Sequence, residues 1–256
     1  MALMKTSNPA LNGNTFENLP GVRYGGVIDE ATRMTLTGTV NKTGTLLLCA
    51  VATAAWTWHT FLQSHDPADV APLMIAGLLG GFIVALVTIF KKEWSPVTAP
   101  IYALLEGLVL GGISAFMELR YPGIAIQAVG LTFGTLFALL LAYRSGLIPV
   151  TQKFRMGIAA ATGGIAVFYL LSMLLGFFGF HFTAIYGSGA IGIGFSLVVV
   201  AVAALNLVLD FDFIEHGVQS GAPKYMEWYG AFGIIVTLVW LYLEILRLLS
   251  KLRSRN

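Results

Sequence analysis

Long apolar runs separated by short polar breaks make up most of the chain. Crossing the hydrocarbon core of a bilayer takes roughly 20 consecutive apolar residues in a helix. Seven runs reach or approach that length: residues 44–61, 70–90, 99–117, 124–143, 156–178, 186–209 and 228–249. Because the connections between them are short, the pattern predicts an all-α membrane protein, a bundle of seven transmembrane helices.

The two ends of the chain depart from this pattern. Residues 1–43 are polar and rich in Asn, Thr and Gly, and residues 250–256 are basic. The first segment lacks the short apolar core and cleavage site of a signal peptide. We therefore predict a polar cytoplasmic tail over 1–43, a transmembrane domain over 44–249 and a short basic tail over 250–256.

Composition favours a membrane environment. The chain is 57% hydrophobic and 11% charged, whereas soluble domains are about 25% charged. A soluble protein with so few charges would have too little polar surface to cover its core. The single cysteine, Cys49, excludes an intramolecular disulfide framework. The net charge of +2 gives no reason to expect nucleic acid as a partner, so the lipid bilayer is the expected surrounding.

The distribution of Lys and Arg predicts the orientation. The N-terminal tail, the pair Lys91-Lys92 and the loop over 144–155 carry positive charge and fall on one side of the predicted bundle. By the positive-inside rule this side faces the cytosol, which predicts a multi-pass protein of the inner (cytoplasmic) membrane. The far end of the chain disagrees, because a basic cluster would lie outside if the seventh span crosses fully: Arg247, Lys251, Arg253 and Arg255. Either the rule fails there or the seventh segment is re-entrant.

Four acidic residues are the candidates for chemistry. Glu106 lies inside the third span, Asp210 and Asp212 lie where the sixth span ends, and Glu244 lies toward the end of the seventh. No Lys or Arg lies deep in a predicted span to neutralise them. Ionisable groups inside a membrane are costly and usually mark an ion or proton pathway.

Two carboxylates that share a low-dielectric site cannot easily both be ionised. With one proton between them they form a hydrogen bond that holds two helices together, whereas in the ionised form they repel each other or bind a hard cation such as Ca²⁺. An acidic pair of this kind suits a pH-sensitive latch over a cation path. The alternatives are that Glu244 lies at the interface in water, that Asp210 and Asp212 lie in water beyond the sixth helix, and that Glu106 makes only a structural hydrogen bond.

Other motifs carry little weight. The sequence contains no HExxH, GxSxG or P-loop motif, so an enzyme activity has no positive support, and the histidines have no metal-site spacing. Residues 187–192, GSGAIG, match the dinucleotide-binding fingerprint letter for letter. That fingerprint requires a preceding strand, and here it opens a predicted span. The pairs Gly77/Gly81 and Gly107/Gly111 have the small-xxx-small spacing of close helix contacts.

Two stretches at the end of the chain resemble the closing signature of the Bax inhibitor family, the transmembrane Bax-inhibitor-motif proteins. They are LVLDFDFIE at residues 207–215 and LYLEIL at residues 241–246. The NKT sequence at 41–43 and YALLEG at 102–107 are similar to the bacterial branch. The likeness covers nearly the whole chain in the number, length and order of the spans.

This resemblance implies a seven-helix bundle with the last helix near its centre and a pH-sensitive Ca²⁺ leak. By position, Asp210 matches the first acid of the paired latch and Glu244 the second, where members of this type often have Asp. Both would then be transient Ca²⁺ ligands, with Ca²⁺ as the transported ion and no cofactor. Asp212 is a second candidate for the first acid, and Glu106 a further acid of the pathway.

Three functions are compatible with these features. The leading hypothesis is a calcium leak channel gated by protonation of the latch between helices six and seven. The first rival is a membrane-embedded regulator that binds and restrains a membrane protease or another membrane partner through the polar tail. The second rival is a coupled transporter of a small solute, which would predict two matching halves with interrupted helices, and the chain shows no clear internal symmetry of that kind.

Overall fold

The computed structural model describes residues 32–180 and 182–255, and every long element within them is an α-helix. Seven helices are long and apolar enough to cross a membrane, which confirms the predicted fold class. We number them α1 Leu36–Ser64, α2 Pro67–Phe90, α3 Ser95–Arg120, α4 Ile124–Arg144, α5 Gln152–Phe177, α6 Ala190–Gln219 and α7 Met226–Arg253. A single 3₁₀ turn, Lys92–Trp94, precedes α3, and a one-turn helix, Thr183–Tyr186, precedes α6. Most of the predicted polar tail, residues 1–31, lies outside the described residues.

Two helices, α1 and α6, extend about ten residues beyond their predicted runs. The helix α1 begins at Leu36 rather than at residue 44, because Thr35 caps it by accepting a hydrogen bond from the Gly38 amide at 3.0 Å. The helix α6 continues through Asp210 to Gln219. The expectation that Asp210 opens a polar connection is therefore wrong: hydropathy scores an acid as polar even where the fold supplies it with a buried environment.

The last helix lies at the centre of the bundle. Of the most apolar stretch of α7, 67% is buried, against 11% for α5. It packs on α1, α3, α4 and α6. It runs unbroken from Met226 to Arg253, so the re-entrant alternative does not hold in this structure.

The two ends of α7 contact opposite ends of the bundle. Glu227 bonds to Thr35, just before α1 begins, whereas Arg253 donates to the Pro122 carbonyl between α3 and α4 at 2.6 Å. We call the end of the bundle where α1 begins the proximal end and the opposite end the distal end. The odd-numbered helices therefore begin at the proximal end.

Glycines allow α1 and α3 to approach closely. A Cβ atom on Gly107 would lie 2.2 Å from the Ala50 carbonyl oxygen, and one on Gly111 would lie 2.2 Å from the Ala54 carbonyl oxygen. Only glycine fits at such distances, so this small-xxx-small pair sits at a helix crossing. The helix α3 therefore packs closely against α1, and it also contacts α7.

Candidate functional site

Asp210 lies in the interior of the bundle. Every residue of α6 from 206 to 214 is buried, and the Asp210 side chain is 0% exposed. The alternative that this acid sits in water beyond the sixth helix is therefore wrong. The structure therefore places Asp210 inside the sixth helix among buried residues, and its assignment to an ion pathway stays a prediction.

Asp212 lies one half-turn nearer the proximal end and is held by a cation. The Arg155 guanidinium, from the first turn of α5, donates to it at 2.7 Å. The His216 ring nitrogen lies 3.5 Å from the other carboxylate oxygen. No Lys or Arg lies deep in a predicted span, but Arg155 extends from the end of its span toward α6 and pairs with Asp212.

Glu244 belongs to a three-residue cluster near the distal end. The Arg247 guanidinium donates to both of its carboxylate oxygens, at 2.7 and 2.9 Å, and the Tyr169 hydroxyl of α5 donates to it at 3.1 Å. Arg247 also donates to the Tyr169 oxygen at 2.7 Å and lies over the tyrosine ring. With 2% exposure Glu244 is not in water, so the interfacial alternative for this residue is wrong.

The structure does not bring Asp210 and Glu244 to the same depth. The helices α6 and α7 are consecutive, antiparallel and joined by a short connection at the proximal end. At about 1.5 Å per residue, Asp210 lies about 13 Å along α6 from that connection and Glu244 about 27 Å along α7. The predicted direct sharing of one proton between these two carboxylates is therefore not made in this conformation.

Contacts with α5 give the same ordering. Asn206, one turn from Asp210, donates to the Thr162 hydroxyl of α5 at 2.8 Å. Tyr169, which bonds Glu244, packs its ring against Phe195, near the start of α6. Because Thr162 and Tyr169 are two turns apart on α5, the two acids occupy different levels of one interface.

Glu106 lies at another interface. Its carboxylate is half-buried and faces Gly81 of α2, where a Cβ atom would lie 3.3 Å from Oε2. The neighbours of α2 are α1, α3 and the 3₁₀ turn, so Glu106 is not joined to the acids of α6 and α7. Its assignment to the same pathway stays a prediction.

Glu227 is an acid that the sequence analysis missed. It lies in the first turn of α7, is 0% exposed and accepts from both the amide and the hydroxyl of Thr35, at 2.9 and 2.7 Å. Lys42 bonds to its second oxygen, and the Lys224 ammonium lies 2.9 Å from its first. Its position at a span end resembles an ordinary interfacial acid, and only the fold brings Lys42 to it.

The acids form neither a clustered metal centre nor part of a large cavity. Among the described residues there is no group of three or more His, Cys, Asp or Glu side chains arranged to hold a metal ion. A cavity of about 650 Å³ lies between α1, α3, α4 and α7, and its wall is almost wholly apolar.

The comparisons with known proteins identify a family but no individual relative. Neither a curated protein nor a solved structure matches the chain. A family model described as Bax inhibitor 1 like matches residues 6–254, nearly the whole chain. This multi-pass membrane protein therefore belongs to the Bax inhibitor 1-like family.

Proposed function

We propose that the protein is a pH-sensitive calcium leak of the cytoplasmic membrane, with a route along the interface of α5, α6 and α7. The observation that carries this proposal is the complete burial of the Asp210 carboxylate inside the bundle. An acid at such a depth is costly to retain and usually serves ion or proton passage. Membership of the Bax inhibitor 1-like family supports the same function.

Asp210 acts in this proposal as the transit ligand for Ca²⁺. The ion prefers oxygen ligands and carboxylates above all, and an ionised Asp210 offers one in the middle of the bundle. A protonated Asp210 no longer attracts the cation. Flux therefore falls as the pH falls through the titration of this group and rises as the pH increases.

Two salt bridges close the route above and below Asp210. Arg155 holds Asp212 at the proximal side, and Arg247 with Tyr169 holds Glu244 at the distal side. The latch thus consists of two separate closures rather than one shared proton. Arg155 and Tyr169 both belong to α5, the span with the smallest buried share. A movement of α5 would therefore break the Arg155–Asp212 bridge and the Tyr169–Glu244 hydrogen bond, whereas the Arg247–Glu244 pair within α7 would remain.

Orientation follows from the basic loops. The proximal end carries Lys91, Lys92 and the segment 144–155, and by the positive-inside rule it faces the cytosol. The Arg155–Asp212 bridge is then the cytoplasmic closure. The Glu244 cluster is the closure that meets incoming Ca²⁺.

The test is Ca²⁺ flux into liposomes that contain the purified protein, measured across pH for wild type, Asp210→Asn and Glu244→Gln. We expect wild-type flux to increase with pH. Asp210→Asn should lower it about tenfold or more at high pH, equivalent to a barrier at least about 1.4 kcal/mol higher. Glu244→Gln should change the flux and its pH profile, because it breaks the distal closure.

Asp69→Asn is the matched control, since Asp69 is an exposed acid in the first turn of α2. It should leave the flux unchanged. Wild-type flux no greater than that of empty liposomes at every pH would overturn the leak and favour the regulator of a membrane partner. A pH-dependent flux that survives Asp210→Asn would remove Asp210 from the route.

A further inference from the structure

The sixth span is preceded by a broken helix. The one-turn helix Thr183–Tyr186 ends at Gly187, whose backbone is extended, and α6 begins after Gly189, which is extended as well. The unwound segment folds back over the first turn of α6, so a Cβ atom on Gly192 would lie 2.0 Å from the Gly187 carbonyl oxygen and 2.9 Å from that of Ile185. Gly187 and Gly192 of the GSGAIG sequence thus permit close backbone approaches, which explain these two glycines without a nucleotide.

A buried ammonium group fills the space beside this break. Lys251 of α7 is 6% exposed. Its Nζ donates to the Ile185 carbonyl at 2.8 Å, the Gly192 carbonyl at 3.0 Å and the Ser196 hydroxyl at 2.9 Å. An ammonium has three donors, so all of them are used, and every acceptor is a neutral oxygen.

Neutral oxygens at a helix break are a recognised environment for monovalent cations. In membrane transporters, unwound backbone carbonyls and the C-terminal ends of half-helices coordinate Na⁺, and rings of carbonyls replace the hydration shell of K⁺ in channels. The Ile185 carbonyl belongs to the last turn of the one-turn helix, the negative end of its dipole. A lysine ammonium is a compact point charge that can occupy the place of such an ion.

We infer that the carbonyls of Ile185 and Gly192 and the hydroxyl of Ser196 form a monovalent-cation site, which Lys251 fills as a tethered cation. The site joins the broken helix to the distal end of α7. It lies one helical turn beyond Arg247 on α7, and its test does not depend on flux.

The acceptors suit a monovalent rather than a divalent cation. Calcium sites normally include carboxylates, and none is among the hydrogen-bond partners of this ammonium. A pocket of about 220 Å³ lies beside Lys251, with Ser188 and Ser250 in its wall, so water can complete the shell of an ion that replaced the lysine.

The experiment removes the tethered charge and offers a dissolved one. Thermal unfolding of the purified full-length protein is compared in potassium, sodium and tetramethylammonium chloride at equal ionic strength, for wild type and Lys251→Met. The methionine keeps an unbranched apolar chain but lacks the ammonium. We expect the Tm of Lys251→Met to rise by about 2–4 °C in the potassium or sodium salt relative to tetramethylammonium, in a concentration-dependent manner.

Arg253→Met is the matched control, because Arg253 lies on the same helix end and also donates to a carbonyl, that of Pro122. Neither it nor wild type should respond to the choice of cation. Adding Ser196→Ala to Lys251→Met removes one of the three oxygens and should raise the ion concentration needed for the effect several-fold.

Three results would each overturn the inference. One is an equal Tm of Lys251→Met in all three salts. A second is a Lys251→Met variant that fails to fold in every salt. The inference requires dissolved sodium or potassium to replace the lysine and stabilise this variant. The third is a wild type that itself responds to sodium or potassium, because the ammonium would not then fill the site. In all three cases Lys251 serves only to fasten the loop to α7.

Discussion

Glu227 is a buried carboxylate with a full set of partners at the proximal end. Its two oxygens accept from Thr35 and are paired with Lys42 and Lys224. Lys42 also lies over the Trp228 ring, with Nζ 5.5 Å from its centroid. A carboxylate satisfied in this way is a clamp between the start of α1 and the start of α7, not a ligand available to a passing ion.

Glu227→Gln should therefore destabilise the protein without removing the pH dependence of flux. The substitution leaves the Lys42 ammonium, which is largely buried, without its carboxylate, and breaking a buried pair on one side costs roughly 3–5 kcal/mol. Thermal unfolding should show a clearly lower Tm. Glu93→Gln is the control, because Glu93 is an exposed acid at the same end; equal Tm values for the two variants would contradict the clamp.

Residue spacing alone indicated which acids lie inside the membrane but not what they contact. Asp210 and Glu106 stand within or beside apolar runs, and the cost of such positions is visible in the sequence. The basic residues that pair with buried acids come from span ends. Arg155 lies in the first turn of α5, and Lys42 lies in a segment that the sequence predicts to be polar tail. Lys42 and Glu227 are far apart along the chain, and only tertiary packing defines their contact.

At the scale of the helices, hydropathy was sufficient to predict their number and order but not the residues at which they begin and end. All seven spans appear where the apolar runs predict them. The ends of α1 and α6 were missed because they depend on partners: Thr35 caps α1, and Asp212 pairs with a neighbouring helix. The central position of α7 was implied by family resemblance, since its apolar run is not the longest of the seven.

The helix α5 is the element on which both proposed closures depend. It contributes Arg155 at one level and Tyr169 at another, and a hydrogen bond between Thr162 and Asn206 joins it to α6 between them. Few of its side chains are buried, so it is the span most readily displaced. Flux through the proposed route therefore requires α5 to move relative to α6.

Fixing α5 to α6 should then stop the leak. In a Cys49→Ser background, Thr162→Cys/Asn206→Cys places two thiols where side chains are in contact. Oxidation should reduce Ca²⁺ flux to the level of empty liposomes, and a reductant should restore it. Each single-cysteine variant is a control that oxidation should not affect. Full flux through the cross-linked protein would show that α5 need not move.

For the molecule as a whole, three of the four basic residues in the C-terminal cluster are bonded within the bundle, which weakens their conflict with the positive-inside rule. Arg247 is bonded to Glu244 and Tyr169, Lys251 to three oxygens of the α6 region, and Arg253 to the Pro122 carbonyl. The rule concerns basic residues in loops close to span ends. Side chains that pair inside the bundle are poor determinants of orientation, so the proximal loops decide it.

The C-terminus should accordingly lie on the non-cytoplasmic side. Single cysteines in a Cys49→Ser background can be labelled with a membrane-impermeant maleimide on spheroplasts and again after lysis. Ser254→Cys at the distal end should react before lysis, as should Ser64→Cys at the end of α1, whereas Ser145→Cys after α4 should react only afterwards; all three positions are exposed. If Ser254→Cys reacted only after lysis while Ser64→Cys reacted before it, α7 would not cross the membrane as a continuous helix. The distal closure at Glu244 would then lose its place facing incoming Ca²⁺, whereas the buried position of Asp210 would not be affected, because α6 would still cross the membrane.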